Sequence, residues 1–271
     1  MSLLDLFESP KPIIGMIHLM PLPGSPLFKG DFDEILDQAL RDARALEEGG
    51  VDGVIVENLG DKPYPRTAGR ITVAAMAVIV REVVKEIGIP VGVNVLRNDG
   101  LASVAIAKVT GASFIRVNVF IDTVISESGI LDPIAPRLLR YRKLIMADNV
   151  KIFADVCCKH SLPLSYMRRE ALIGHYVKEA FERGLADAVI ISGPRTGQPP
   201  NEKELIIARR SSQGRPILIG SGLKPENISL LKWVDGAIVG TYFKKDGRVE
   251  NPVDVNRVKK FMRVIKSSFS M

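Results

Sequence analysis

Two carboxylates, an imidazole and two cations sit at the ends of short runs of Val and Ile: Glu57, Asp155, His18, Arg116 and Lys159. A charge among apolar side chains costs several kcal/mol unless it is paired, so each asks for a partner or a ligand. Glu57 and Asp155 have the chemistry of a general base and a general acid. His18 and His160 would carry protons near neutral pH. Lys159 would act as a cation or, with a lowered pKa, as an imine-forming amine. Asn94, Arg116 and Asn118 can hold substrate hydroxyls or stabilise developing negative charge. A structural alternative stands beside this, in which Arg116 bridges Glu57 and Asp155 as a satisfied internal pair. His18, Glu57, Asp155 and His160 lack the H-x-H, H-E-x-x-H or C-x-x-C spacing of a metal site, so none is expected.

Two further stretches point to an anion. Gly220-Ser221-Gly222 closes one apolar run and Gly240-Thr241 closes the next. Such residues leave backbone N–H groups open to a ligand. Between the two runs there is room for one short helix, which Pro225 would open. Paired strand ends beside a short helix N-terminus are how a (β/α)8 barrel builds a phosphate site after strands seven and eight. Gly220, Ser221, Gly222, Gly240 and Thr241 are therefore the expected phosphate-binding residues. The Gly- and Pro-rich loop 192–200 begins beside them, which makes Ser192, Gly193 and Thr196 candidate substrate-binding residues. The loop 57–66 has the same character.

These groups need a frame. Apolar runs cover 12–19, 53–58, 90–96, 114–120, 151–156, 188–193, 216–222 and 236–242. Near-continuous apolar strands belong to a parallel sheet buried on both faces. Helical patterns lie between most of them. Asp31 caps a helix whose apolar stripe runs from Phe32 to Leu46, and Gly49 and Gly50 stop it. Asp99 caps another that ends at Thr110-Gly111. More are expected over 67–87, 133–147, 164–183, 201–212 and 252–268. Strand–helix alternation repeated eight times predicts an α/β fold, a (β/α)8 TIM barrel in one domain over residues 1–271.

Side chains alternate along a strand, which gives inward sets. These are Met16 with His18, Ile55 with Glu57, Gly92 with Asn94, Phe114 with Arg116, Asn118 and Phe120, and Phe153 with Asp155, Cys157 and Lys159. Ser192, Ser221 and Thr241 share faces with Ile190, Ile219 and Val239. All sets are expected at one mouth. The longer segment 121–132 is a candidate lid.

Bulk properties narrow the partners. The 271 residues are 46% hydrophobic and 25% charged, ordinary for a soluble domain. No apolar run reaches the roughly 18 residues of a membrane span, and the N-terminus does not read as a signal peptide. Cys157 and Cys158 are adjacent and point apart, so no disulfide is expected, which suits the cytoplasm. The net charge of +6 favours anionic ligands. With 6% aromatics and no recognition motif, nucleic acid is not an expected partner. A homo-oligomer through the outer helices is compatible with the sequence.

Several motifs resemble the BtpA family. They are the run 13–26 (IIGMIHLMPLPGSP), Glu57-Asn58 with Gly60-Asp61, the run 92–99 (GVNVLRND), the run 114–118 (FIRVN), and Asp155 with Lys159-His160. Ile191-Ser192-Gly193 with Thr196-Gly197, Gly220-Ser221-Gly222, and Val239-Gly240-Thr241 complete the set. The resemblance spans essentially the whole chain. It implies the same barrel, similar to ribulose-phosphate-binding barrels. It also implies two functions: members named for photosystem I biogenesis, and members that look like sugar-metabolism proteins. The expectation is an enzyme binding a small phosphorylated sugar or nucleotide-like compound at the C-terminal mouth. Isomerisation, aldol-type cleavage and glycosidic-bond cleavage all stay open, and no cofactor is named. The alternative is a non-catalytic assembly factor, peripheral to a membrane through the basic C-terminal helix with Arg257, Lys259, Lys260, Arg263 and Lys266.

Overall fold

Side-chain caps start four of the helices, Asp254 opening the last of them. In the computed structural model, which describes residues 6–165 and 167–269, Asp31 accepts a hydrogen bond from the Glu34 amide at 2.9 Å and opens α1 (Phe32–Gly49). Asp99 does the same for Ala102 at 2.9 Å in α3 (Gly100–Thr110). Asn201 and Glu204 cap each other's backbone at the start of α6 (Glu202–Ser212). The other α-helices are α2 (Arg70–Glu86), α4 (Ala135–Leu144), α5 (Arg169–Glu182) and α7 (Val255–Ser268).

Eight parallel strands alternate with them: β1 (Ile13–His18), β2 (Gly53–Glu57), β3 (Val91–Asn94), β4 (Phe114–Val117), β5 (Lys151–Val156), β6 (Ala188–Ile191), β7 (Ile217–Ile219) and β8 (Gly236–Val239). Each pairs with the next, and β8 pairs with β1, so the sheet closes into a (β/α)8 barrel. A 3-10 helix, Pro225–Trp233, joins β7 to β8 with Pro225 in its first turn.

Three segments differ from the expected pattern. Helix α2 starts at Arg70 rather than at 67, because the Ala68 amide donates to the Asp99 carboxylate at 3.0 Å and ties that stretch to the loop after β3. Helix α5 starts at Arg169 rather than at 164, because Ser161–Pro163 is a strand and the Leu164 amide continues its pairing by donating to the Thr123 carbonyl at 3.1 Å. The segment 121–132 contains a hairpin of Val124–Ser126 with Gly129–Leu131, and the first of these strands also pairs with Ser161–Pro163. Its inner face buries Val124 and Leu131 against Val119. Its turn is tied to the loop after β2: Ser128 Oγ donates to the Tyr64 carbonyl at 2.8 Å, and Arg66 Nε donates to the Ser128 carbonyl at 3.2 Å.

The barrel interior rests on a floor of Ile14, Met16, Ile55, Phe114, Phe153, Ile190, Leu218 and Ile238, with Phe7 closing the amino-terminal end. Phe114 and Phe153 stack at 4.7 Å, and Phe7 meets Phe114 edge-on at 5.8 Å, favourable aromatic geometries. Gly92 makes room for them, since a Cβ there would enter the Phe114 ring. Ile13, Ile17, Val54, Val56, Ile219 and Val239 face the other way, into the larger core between sheet and helices. The polar groups of the mouth thus stand on a rigid apolar plug. Among the described residues, no helix is long and apolar enough to cross a membrane.

Candidate functional site at the barrel mouth

Strand register aligns the first polar row. His18 lies opposite Glu57, and Glu57 opposite Asn94, across β1, β2 and β3. Asn94 Nδ2 donates to Glu57 Oε2 at 2.5 Å. His18 Nε2 stands 3.8 Å from Glu57 Oε1. Burial, followed by the nearby cations Lys244, Lys159 and Arg116, holds the His18 pKa well below the usual imidazole range. That direction favours the neutral imidazole beside Glu57 over an ion pair.

Strands β4 and β5 supply the second row. Arg116 Nε and Nη2 donate to Asp155 Oδ2 and Oδ1, both at 3.0 Å, and Asn118 Nδ2 donates to Asp155 Oδ2 at 2.7 Å. Burial opposes the Arg116 charge, but Asp155 and then Glu57 outweigh it and raise the guanidinium pKa. Arg116 thus pairs with Asp155 alone rather than bridging both carboxylates, since Glu57 takes Asn94 instead. Arg116 Nη1 has no part in that pair. Lys159 follows in the loop after β5, and no hydrogen bond or ion pair holds its ammonium group among the described residues. Burial and the neighbouring Arg116 charge lower its pKa. Burial pushes the Cys157 thiol up to about 12, and burial with Asp155 pushes Cys158 to about 11, which disfavours the thiolate form of both.

These groups border two adjoining spaces. The smaller, about 40 Å³, is enclosed by His18, Gly197, Gly220, Ser221, Gly222, Gly240 and Thr241. The larger, about 820 Å³, is bordered by Leu59, Pro63, Tyr64, Leu96, Arg97, Asn118, Glu127, His160 and Val249. Glu57, Leu59, Arg116, Lys159, Thr196 and Val249 border both. Asp155 borders neither, and it holds Arg116 and Asn118 from behind. His160 Nε2 lies 2.8 Å from Thr196 Oγ1 across the rim, and burial with the Lys159 charge lowers its pKa.

Ser221 and Thr241 reach the wall by a route other than strand alternation. Ile219 and Val239 face the helices, so the inward positions of β7 and β8 are Leu218 and Ile238. The chain then turns, with Gly222 at φ 72°. That turn exposes Ser221 and Gly222 to the cavity, and the 3-10 helix Thr241–Phe243 that follows β8 brings Thr241 there. Cys157 likewise leaves the inward set of β5, taking φ 51° and packing in the helix layer, and Phe120, past the end of β4 at Val117, packs there too.

The cradle amides are unequal. Gly220 N–H is taken by the Ile191 carbonyl at 2.9 Å, whereas the Ser221 and Gly222 amides take no hydrogen bond among the described residues. The Ser221 hydroxyl is committed, donating to the Gln198 carbonyl at 2.7 Å and accepting from the Gly193 amide at 3.2 Å. Gly193 therefore positions Ser221. Ser192 is fully buried, and its Oγ has no hydrogen-bond partner among the described residues. It borders neither space. Among the described residues, no three His, Cys, Asp or Glu side chains converge as a metal site would require.

Sequence reasoning singled out the loop 57–66, which borders the larger space, but did not name Leu96, Arg97, Glu127 and Val249 among its walls. Arg97 carried a signal, as a cation just past β3, and so did Tyr64 in the Pro-rich loop after β2. Glu127 and Val249 carried none, because they arrive from a hairpin turn and from the loop before α7.

Comparison with known proteins places this geometry in context. The model of the BtpA family matches residues 9–267. An uncharacterized protein of Thermococcus kodakarensis is 46% identical over 257 residues, covering 94% of this chain and 95% of its own. The photosystem I biogenesis protein BtpA of Synechocystis is 40% identical over 267 residues, covering 98% of this chain and 91% of its own. Among solved structures, N-(5'-phosphoribosyl)anthranilate isomerase from Pyrococcus furiosus superposes with a TM-score of 0.59 at 15% identity, over 95% of this chain and 99% of the enzyme. At that identity the likeness speaks to the fold.

Proposed function

The chain belongs to the BtpA family, and we propose that it is an enzyme acting on a small phosphorylated compound in the mouth of its barrel. One observation carries this reading: Glu57, Arg116 and Lys159 border a space of about 40 Å³ whose opposite wall is Ser221, Gly222, Gly240 and Thr241. The open amides of Ser221 and Gly222 and the Thr241 hydroxyl would hold the phosphate. The barrel enzyme it resembles has a phosphoribosyl compound in its name, which agrees with that use of the architecture.

The residues divide the work by what they touch. Glu57 faces the cavity and would take or return a proton at an atom next to the phosphate-bearing part. Neutral His18, beside it, would orient the carboxylate or relay that proton. Lys159 and the free edge of Arg116 would stabilise negative charge on a substrate oxygen. His160 and Thr196, paired across the rim, would bind a polar group at the entrance. Asp155 would keep Arg116 and Asn118 in position. Isomerisation, aldol-type cleavage and glycosidic-bond cleavage all use this set.

The test is a thermal-shift panel of inorganic phosphate, phosphorylated sugars and their unphosphorylated parents. A ligand at about a hundred times its dissociation constant stabilises by roughly 2.7 kcal/mol. Shifts confined to phosphorylated compounds support the reading; a flat panel removes it.

A second reading, a non-catalytic assembly factor peripheral to a membrane, has one observation in its favour. Ile125, Ile130 and Leu162 form a cross-strand row on the outer face of the hairpin sheet, 43%, 47% and 70% exposed. The basic C-terminal helix gives it less, because Lys259 is held by Glu48 and Arg257 by the Tyr242 carbonyl. Sedimentation with anionic vesicles at physiological salt decides: no co-sedimentation removes the membrane form.

A further inference from the structure

Resting on the phosphate-site reading above, we infer that the ligand is bipartite. A phosphate would sit in the small cradle, and a planar aromatic or heterocyclic group bearing a hydrogen-bond donor would sit in the adjoining large space. Size argues for the first part. A single water needs about 10–15 Å³ of such space, so the cradle's 40 Å³ takes a group of phosphate size and little else. The remainder of any phosphate ester must pass the shared wall at Glu57, Arg116 and Lys159. Beyond it lie about 820 Å³, within the roughly 300–1,000 Å³ of pockets that enclose whole small molecules. A bare pentose would leave most of that volume to water.

The walls argue for the second part. Leu59, Pro63, Tyr64, Leu96 and Val249 form an apolar stretch of that lining which a flat ring could cover, beside the polar heads of Lys62, Arg97, Glu127 and His160. The Tyr64 ring is fixed, because its hydroxyl donates to the Leu59 carbonyl at 2.6 Å. The donor requirement comes from Asn118, which is 3% exposed. Its Nδ2 is committed to Asp155 at 2.7 Å, which assigns the other amide atom as oxygen. That Oδ1 is buried without a hydrogen-bond partner among the described residues, and Asn118 borders the large space. An unpaired buried acceptor is costly, and a ring N–H, amine or hydroxyl on the ligand would satisfy it. The atoms joining the two ends then run past Glu57 and Lys159.

The experiment is calorimetric titration of wild type, Tyr64→Phe and Tyr64→Ala. The probes are inorganic phosphate, ribose 5-phosphate, adenosine, and ribose 5-phosphates carrying purine, pyrimidine or benzenoid groups. The inference expects at least one ring-bearing phosphate to bind about tenfold or more tighter than ribose 5-phosphate. Tyr64→Phe should keep that gain and Tyr64→Ala should lose it, with inorganic phosphate bound alike by all three proteins. Ring-bearing compounds no tighter than ribose 5-phosphate, or a gain that survives Tyr64→Ala, would overturn the inference and leave the phosphate site standing. Adenosine binding as tightly as its phosphate, or no binding by any phosphate compound, would overturn the phosphate reading and the bipartite ligand with it.

Discussion

Arg116 and Asp155 form a two-bonded ion pair inside the barrel, Nε to Oδ2 and Nη2 to Oδ1 at 3.0 Å each, with 2% and 0% of the two residues exposed. The pair spans adjacent strands and turns the guanidinium toward the mouth while its carboxylate stays behind the wall. In our account Asp155 is a positioning residue. Removing one partner of a buried pair leaves an uncompensated charge, which costs about 3–5 kcal/mol. Asp155→Ala should lower unfolding free energy by that order in urea titrations. The apolar replacement Arg116→Met with Asp155→Leu should recover most of it while ligand binding stays lost. A loss below about 1 kcal/mol for the single variant would remove the positioning role.

Glu57 is the proton-transfer group at the shared wall. Glu57→Gln keeps an oxygen for the Asn94 amide, so stability should hold within about 1 kcal/mol. Turnover of a substrate found by the ligand panel should fall roughly a hundred- to ten-thousand-fold in kcat, with KM little changed. Unaltered kcat would show that Glu57 only holds Asn94.

Much of this frame was legible in the sequence because burial on both faces writes strands as apolar runs, and a charge inside such a run stands out. Glu57, Asn94, Arg116 and Asp155 were visible for that reason, and their alternation with Ile55, Gly92, Phe114 and Phe153 gave their common direction. Alternation failed where strands ended. Beyond Ile219 and Val239 the chain turns, so Ser221 and Thr241 reach the cavity although their strand neighbours do not. The partition of charge was also hidden, since only the fold decides that Arg116 takes Asp155 and Glu57 takes Asn94. The sheet of 124–126, 129–131 and 161–163 joins segments some thirty residues apart in sequence, and no local pattern marks such a pairing.

Asp122 gives a pH signature. It is 3% exposed, its Oδ2 has no hydrogen-bond partner among the described residues, and burial pushes its carboxyl from 3.8 to about 6. The folded chain therefore holds a proton that the unfolded chain has released across that window, and stability falls as pH rises through it. Asp122→Asn should stabilise by on the order of 2 kcal/mol at pH 8 and by nearly nothing at pH 4. Equal gains at both pH values in denaturant titrations would contradict the assignment.

His18 should remain neutral at pH 6.5, the ordinary midpoint for histidine, because burial and three nearby cations oppose its charge. Heteronuclear NMR of its ring nitrogens reads this directly, and a half-protonated signal at that pH would contradict it. Lys159→Met removes one of the cations and should shift the His18 midpoint upward.

The most direct test of the central claim is calorimetric titration of ribose and ribose 5-phosphate into wild type and Thr241→Val. The account predicts that ribose 5-phosphate binds and ribose does not. It also predicts that the loss of one hydroxyl facing the phosphate weakens binding roughly ten- to hundredfold. Equal affinity for ribose and its phosphate, or identical binding by both proteins, would contradict a phosphate site at the ends of β7 and β8.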